Sequence, residues 1–197
     1  RLPGSGEWTH FYGDPANTAC GSDEIRPGPM ELQWFGRPGP ARMVDRHKKG
    51  QGPLYVNGRL FVPGFNYMAA VDAYNGVVLW DRTIPESVRV AAFKDCSGIA
   101  ATGNELLVAA GDHCLKLDAQ TGRQLLKIDA VGGPQDKAWG YLAAVDGLII
   151  GSVARRDASL RAMGKAEDAV IWRNEQPVAC SLSLFAAFVP AGKLTPP

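Results

Sequence analysis

One spacing constrains this chain more than any other property: a segment recurs after 46 residues. Ala70-Val71-Asp72-Ala73-Tyr74-Asn75-Gly76-Val77-Val78-Leu79-Trp80 returns as Lys116-Leu117-Asp118-Ala119-Gln120-Thr121-Gly122-Arg123-Gln124-Leu125-Leu126. Asp72 and Asp118 stand 46 positions apart, as do Gly76 and Gly122. Trp34, closing Glu31-Leu32-Gln33-Trp34, lies 46 before Trp80, and Leu126 lies 46 after it. A weaker copy, Ala186 to Leu194, follows the second after 70 residues, which implies an insertion of about 24. A unit of this length is one supersecondary element that cannot bury its apolar face alone, so copies must stack.

The second copy shows what the unit contains. Gly98 to Ala101 reads as a short apolar strand, and Thr102-Gly103-Asn104-Glu105 as a turn, because Gly and Asn tolerate positive φ. Leu106 to Ala110 is a second strand, Gly111-Asp112 a turn, His113 to Leu117 a third strand, Asp118 to Gly122 a turn and Arg123 to Ile128 a fourth strand. The first copy agrees, with Asn57-Gly58 between Leu54-Tyr55-Val56 and Arg59-Leu60-Phe61-Val62, a strong short-range hairpin signal. A third begins at Tyr141 to Val145, turns at Asp146-Gly147 and continues through Leu148-Ile149-Ile150. Four antiparallel strands per 40 to 50 residues is the unit of a β-propeller blade. The 23 Gly and 14 Pro among 197 residues fit recurrent turns and oppose long helices. The best helix candidate, Ala158 to Asp168, lies in the insertion and is weakened by Gly164.

The expected fold is therefore all-β: a single partial β-propeller of four-stranded antiparallel blades over 1–197, an incomplete ring of about three to four blades. The divisions are an entry segment 1–34, blades 35–81 and 82–128, and a blade with insertion 129–197. The first residue is Arg and no apolar leader-type segment is present, so either a leader was removed or this is an internal fragment; the end stops where a strand should run, as in a truncated or altered end, and a fragment of a larger protein is the expectation.

Charge and motifs narrow the function classes. With 21 basic and 20 acidic residues, nothing global points to nucleic acid. The basic run from Arg37 to Lys49 is a solvated loop in its simplest reading. No run of 18 apolar residues exists to span a membrane as a helix. Cys20, Cys96, Cys114 and Cys180 form no CxxC; their even count permits two disulfides, and buried free thiols are the simpler reading. There is no GxSxG, no HExxH, no GxGxxG before a helix and no phosphate loop. His10, His47 and His113 lie on different segments, which argues against a three-His metal site.

These residues resemble a known family. Asp72-Ala-x-x-Gly76 followed by Trp80 resembles the tryptophan-docking motif of quinoprotein-like, pyrroloquinoline quinone (PQQ) repeat propellers. Asp118-Ala119-Gln120-Thr121-Gly122 fits the common form better but carries Leu126 in place of Trp. Trp8-Thr9-His10-Phe11-Tyr12-Gly13-Asp14-Pro15-Ala16-Asn17-Thr18 is similar to the start of many such proteins. The resemblance covers most of Trp8 to Leu194, apart from about 154 to 177. It implies that Trp34 and Trp80 dock on a neighbouring blade's turn, with Asp72, Gly76, Asp118 and Gly122 as the structural partners. It implies an extracytoplasmic location. It does not separate quinone-dependent dehydrogenases from non-catalytic scaffolds such as the propeller lipoprotein of the outer-membrane barrel-assembly machinery.

Propeller geometry says where a site would sit. Connections from each outermost strand to the next innermost strand, about 35–53, 82–97 and 129–140, should open on one face. Arg46, His47, Asp95, Cys96 and Trp139 lie on them and are the candidate ligand-binding residues. Each also has a plain reading: a turn ion pair for Arg46 with Asp45, a solvated His47, an Asp95 that caps a turn, a packed Trp139. Dehydrogenases of the resembled family use an adjacent Cys pair, a Ca²⁺ held by Glu, Asn and Asp, a catalytic Asp and a stacking Trp. This chain has no adjacent Cys pair and no Asp-x-Asp-x-Asp loop. The expectation is a non-catalytic ligand- or protein-binding scaffold with no catalytic residues, metal or cofactor within this segment. Its partners would be the remaining blades of its parent and a protein or small ligand at the mouth. The alternative is a fragment of a PQQ- and Ca-dependent dehydrogenase oxidising alcohols or sugars.

Overall fold

The computed structural model describes residues 2–24, 28–29, 31–36, 42, 51–87, 98–130, 137–155 and 189–190. All regular structure among them is β. A first sheet carries β1 (Leu54–Val56), β2 (Arg59–Gly64), β3 (Tyr67–Asp72) and β4 (Val78–Thr83) in the order β1-β2-β3-β4. A second carries β5 (Ile99–Ala101), β6 (Glu105–Ala110), β7 (His113–Asp118) and β8 (Gln124–Asp129) in the same order. A third has β9 (Lys137–Val145), β10 (Leu148–Arg155) and β11 (Val189–Pro190), with β10 in the middle. All pairings are antiparallel. The helix candidate at 158–168 lies outside the described residues.

The hairpins form where the sequence relieves backbone strain. Asn57 and Gly58 have φ of 49° and 75°, and Asp146 and Gly147 have 47° and 75°. Two successive positive-φ residues make the tight turn whose twist matches its strands. The strands run further than the apolar pattern alone marks: β2 continues through Pro63 to Gly64, and β9 starts at Lys137 rather than Tyr141.

The repeat extends to defects in the ladder. Pairing shifts between Ala70 and Val71 in the first blade and between Lys116 and Leu117 in the second, 46 residues on. Ala70 faces Trp80 while Val71 faces Val78, so Leu79 is the extra residue of a β-bulge. Lys116 faces Leu126 while Leu117 faces Gln124, so Leu125 is its counterpart. Leu79 and Leu125 are exposed. The bulge turns an apolar residue outward, and Trp80 takes the buried place beside it.

Packing joins the blades face to face. Leu54, Phe61, Met68, Trp80 and Ile84 of the first blade form one core with Leu106, Val108, Ala110, Leu115 and Leu117 of the second. Leu107, Ala109, Cys114 and Ile128 of the second form another with Trp139, Leu142, Ile149 and Val153 of the third. The two faces of β6 thus go to different neighbours, and Glu105-Leu-Leu-Val-Ala-Ala110 reads as a nearly unbroken apolar run because both faces are buried. On the far side of the first blade, Tyr67, Ala69 and Val71 pack with Trp34, Leu60, Val62 and Val78. Among the described residues no core joins the third blade back to the first, and the sheets form an open series.

The bulge makes a sharp contrast between neighbours. Trp80→Ala should lower stability by about 3–5 kcal/mol, as truncation of a buried aromatic does. Leu79→Ser, one position away, should stay within about 0.5 kcal/mol of the parent. Urea midpoints of the two variants check this, and equal losses would contradict the bulged register.

Candidate functional site

The motif residues build a joint between blades. Asp72 Oδ1 accepts from the backbone N–H groups of Tyr74 at 2.8 Å and Asn75 at 3.1 Å. Asp118 Oδ1 accepts from Gln120 N–H at 3.1 Å, Thr121 N–H at 2.7 Å and the Thr121 hydroxyl at 2.8 Å. The Thr121 bonds hold the Asp118 carboxyl below its ordinary range. Gly76 N–H donates to Asp72 O, and Gly122 N–H to Asp118 O, both at 2.9 Å. Ala73 N–H donates to Gly58 O and Ala119 N–H to Asn104 O, again both at 2.9 Å.

A tryptophan sits on each turn. Trp34 Nε1–H donates to Ala73 O at 2.9 Å, and Trp80 Nε1–H donates to Ala119 O at 3.1 Å. The rings lie over Gly76 and Gly122, whose φ values are 75° and 69°. A Cβ on Gly122 would fall 2.6 Å from Trp80 Cδ2, and one on Gly76 would collide with the Trp34 ring. Glycine is needed twice over, for the left-handed backbone and for the ring's approach. Arg82 adds a bond from Nη1 to Gly122 O at 2.6 Å. Trp80 therefore leaves the last strand of one blade and closes on the last turn of the next.

The candidate ligand residues are placed unevenly. Arg46, His47, Asp95 and Cys96 lie outside the described residues, so the expected convergence of their loops is not visible. Trp139 is buried at 2% exposure between the second and third blades, with its ring against Gly151. Its indole N–H has no hydrogen-bond partner. At the strand ends where these loops emerge, the guanidinium of Arg42 stacks over the Tyr67 ring at 4.6 Å, and Tyr67 donates its hydroxyl proton to Asp81 at 2.8 Å. The β6–β7 turn at the same end pairs His113 Nδ1 with Asp112 Oδ1 at 2.7 Å. Asp112 reads in sequence only as a turn residue, and its pairing with the next side chain has no periodic signature.

A second arrangement carries no repeat signal at all. The entry segment crosses the inner edges of all three sheets. Trp8 exchanges backbone bonds with Tyr55 of β1 at 2.8 and 2.9 Å. Thr9 O accepts from Ala101 N–H of β5 at 2.9 Å. His10 Nε2 accepts from Ala144 N–H of β9 at 3.0 Å, and its Nδ1 lies 2.7 Å from Thr9 Oγ1. Asn17 reaches the Tyr141 hydroxyl at 3.4 Å. His10 is buried at 1% exposure, and desolvation lowers its pKa to about 4 against a smaller opposing pull from Asp14. Its lone pair is already engaged, so it is neither a free base nor a metal ligand.

The cofactor of the resembled dehydrogenases can be tested against these residues. No group of three or more His, Cys, Asp or Glu able to hold a metal ion occurs among the described residues. Cys20 is exposed and Cys114 buried, both free, and burial pushes the Cys114 thiol up to about 12. Cys20 and Cys114 are not adjacent in sequence and form no disulfide with each other.

Comparison with solved structures settles the fold. The quinohemoprotein alcohol dehydrogenase ADHIIG from Pseudomonas putida HK5 matches over 78% of this chain and 24% of its own, at TM-score 0.53 and 14% identity. The fold is a β-propeller of the quinoprotein type. A europium-containing methanol dehydrogenase matches over 53% of this chain and 20% of its own, at TM-score 0.43 and 23% identity. BamB from Moraxella catarrhalis matches over 52% and 35%, at TM-score 0.39 and 17% identity. This propeller chain thus spans between a fifth and about a third of the length of those structures. No family model matches it. No curated protein matches it.

The joint can be probed at two glycines. Gly122→Ala should destabilise by at least about 2 kcal/mol, from positive φ and a clash with Trp80. Gly103→Ala, with no heavy atom within 4 Å of the added methyl, should be close to neutral. Thermal unfolding of both variants checks the pair.

Proposed function

We propose that this chain is a non-catalytic propeller segment of a larger protein, a scaffold that presents its blade-connecting loops to a ligand or protein partner. One observation carries the reading. The inner edges of the three sheets, where a propeller would open a channel, are engaged by the chain's own Trp8-Thr9-His10, and the one buried imidazole there is committed to a backbone amide. Polar groups on the inner side hold blades together. Arg42, Asp112 and His113 stand at the strand ends on the loop side, and from their sequence positions Arg46, His47, Asp95 and Cys96 are proposed to join them there.

The partners proposed are the remaining blades of the parent protein and a protein or small ligand at the mouth. Near-neutral net charge supports no role in nucleic-acid binding. No helix among the described residues is long and apolar enough to cross a membrane. An extracytoplasmic location is part of this proposal and rests on the family resemblance.

The test is direct. The 197-residue chain, titrated with PQQ in the presence of Ca²⁺, should show no stoichiometric binding by calorimetry, and no reduction of an artificial electron acceptor when an alcohol is added. Stoichiometric binding with alcohol-dependent acceptor reduction would replace the scaffold reading with that of a dehydrogenase fragment.

A further inference from the structure

Three consecutive residues of the entry segment bond to three equivalent positions of three successive blades. Tyr55 and Ala101 are 46 residues apart, as the repeat requires. Asn57-Gly58 and Asp146-Gly147 are the same hairpin 89 residues apart, and Ala144 lies 89 after Tyr55. Trp8, Thr9 and His10 engage Tyr55, Ala101 and Ala144 in that order. The first two contacts use backbone atoms, which do not titrate. The third uses an imidazole lone pair.

That difference has a chemical consequence. Ala144 contributes an N–H, a donor with no second role. Neutral His10 meets it with an acceptor at Nε2. A proton on Nε2 would set two donors against each other inside a site that is 1% exposed. We propose that the Trp8–His10 hub is a proton-sensitive latch, in which protonation of His10 releases the entry segment from the third blade while the bonds to the first blade persist.

The surroundings offer little to counter this. Asp14, half-buried and on the same segment, is the charged group that acts on His10, and its bonds to Thr18 hold its own carboxyl below the ordinary range. β5 carries no titratable residue. Tyr55 on β1 shares its hydroxyl with Tyr74 at 2.8 Å, and Tyr141 on β9 is met by Asn17. The direction follows from linkage. A released imidazole takes up a proton near 6.5, whereas the latched one resists until about 4. The latch is therefore at full strength above about pH 6.5 and is lost as pH falls toward 4. The released-to-latched ratio rises roughly 100-fold over that window.

The experiment uses the ¹⁵N-labelled 197-residue chain. Amide exchange of Ala144 is measured relative to that of Tyr55, whose N–H donates to Trp8 O and contains no titrating partner. From pH 7 to 4 the corrected Ala144-to-Tyr55 exchange ratio should rise at least roughly tenfold. In His10→Gln, whose side-chain oxygen accepts but does not titrate, the ratio should stay flat. A flat ratio in the parent, or an equal rise in His10→Gln, overturns the latch. Should His10→Gln fail to fold, the His10 ring resonance of the parent decides. Titration below pH 5 together with the onset of Ala144 exchange supports the latch, and titration near 6.5 with Ala144 still protected overturns it.

Discussion

The structure depends on a contact between an indole and a glycine one blade away. Trp80 can reach Ala119 O only because Gly122 has no side chain under its ring, and Gly122 can hold its backbone only because Asp118 gathers the preceding amides. The indole buries a large apolar area and satisfies its one polar atom in the same move. A carboxylate, a positive-φ glycine and an aromatic thus form a joint that links the outer edge of one sheet to the last turn of the next. Everything inward of it, including the apolar cores between sheets, is held at the separation this joint sets.

The joint is not repeated identically, and the exception is informative. Leu126 stands where a third tryptophan would stand, and a leucine has no N–H to give a turn carbonyl. It packs into the core between the second and third blades, where Trp139 supplies the aromatic bulk from a different strand. Trp139 lies over Gly151 of its own sheet rather than over a neighbour's turn. Its indole N–H goes without a partner, which is the expected penalty when a ring fills the volume but not the geometry of the docking position. The coupling of the second blade to the third is thus more apolar and less directional than that of the first to the second.

Most of the fold was legible in the sequence because the constraints are local and recur. Asp72, Gly76 and Trp80 mark their own positions by chemistry and again by spacing, and Asn57-Gly58 and Asp146-Gly147 announce hairpins that two positive φ values then realise. What could not be read was of two kinds. The bulges at Leu79 and Leu125 hide inside the apolar pattern, since an extra residue in a β-strand shifts the register without changing composition. The entry segment's role hides because Trp8, Thr9 and His10 belong to no repeat, and their partners lie 47, 92 and 134 positions away. The indole–turn bonds connect residues that the 46-residue spacing singles out, whereas no spacing singles out the members of the axial hub. Arg46, His47, Asp95 and Cys96, proposed as ligand residues from their loops, lie beyond the described residues.

The two organising contacts differ in what they can respond to. The indole–carbonyl bond over a glycine has no titratable atom, and the Asp118 carboxyl beneath it is held below its ordinary range, so this outer joint keeps its charge at neutral pH. The inner hub has a titratable atom, placed at the only one of its three positions where a side chain replaces a backbone atom. Propeller rims built from apolar rings and backbone bonds are rigid by composition, so any change in how the blades are tied must arise where a side chain can change its charge. Among the described bonds of the inner hub, the one from Ala144 ends on an imidazole, and the proposed latch places such a change there. With outer joints set by indoles over glycines and an inner tie that ends on an imidazole, the proposed latch would alter the inner packing without loosening the rim.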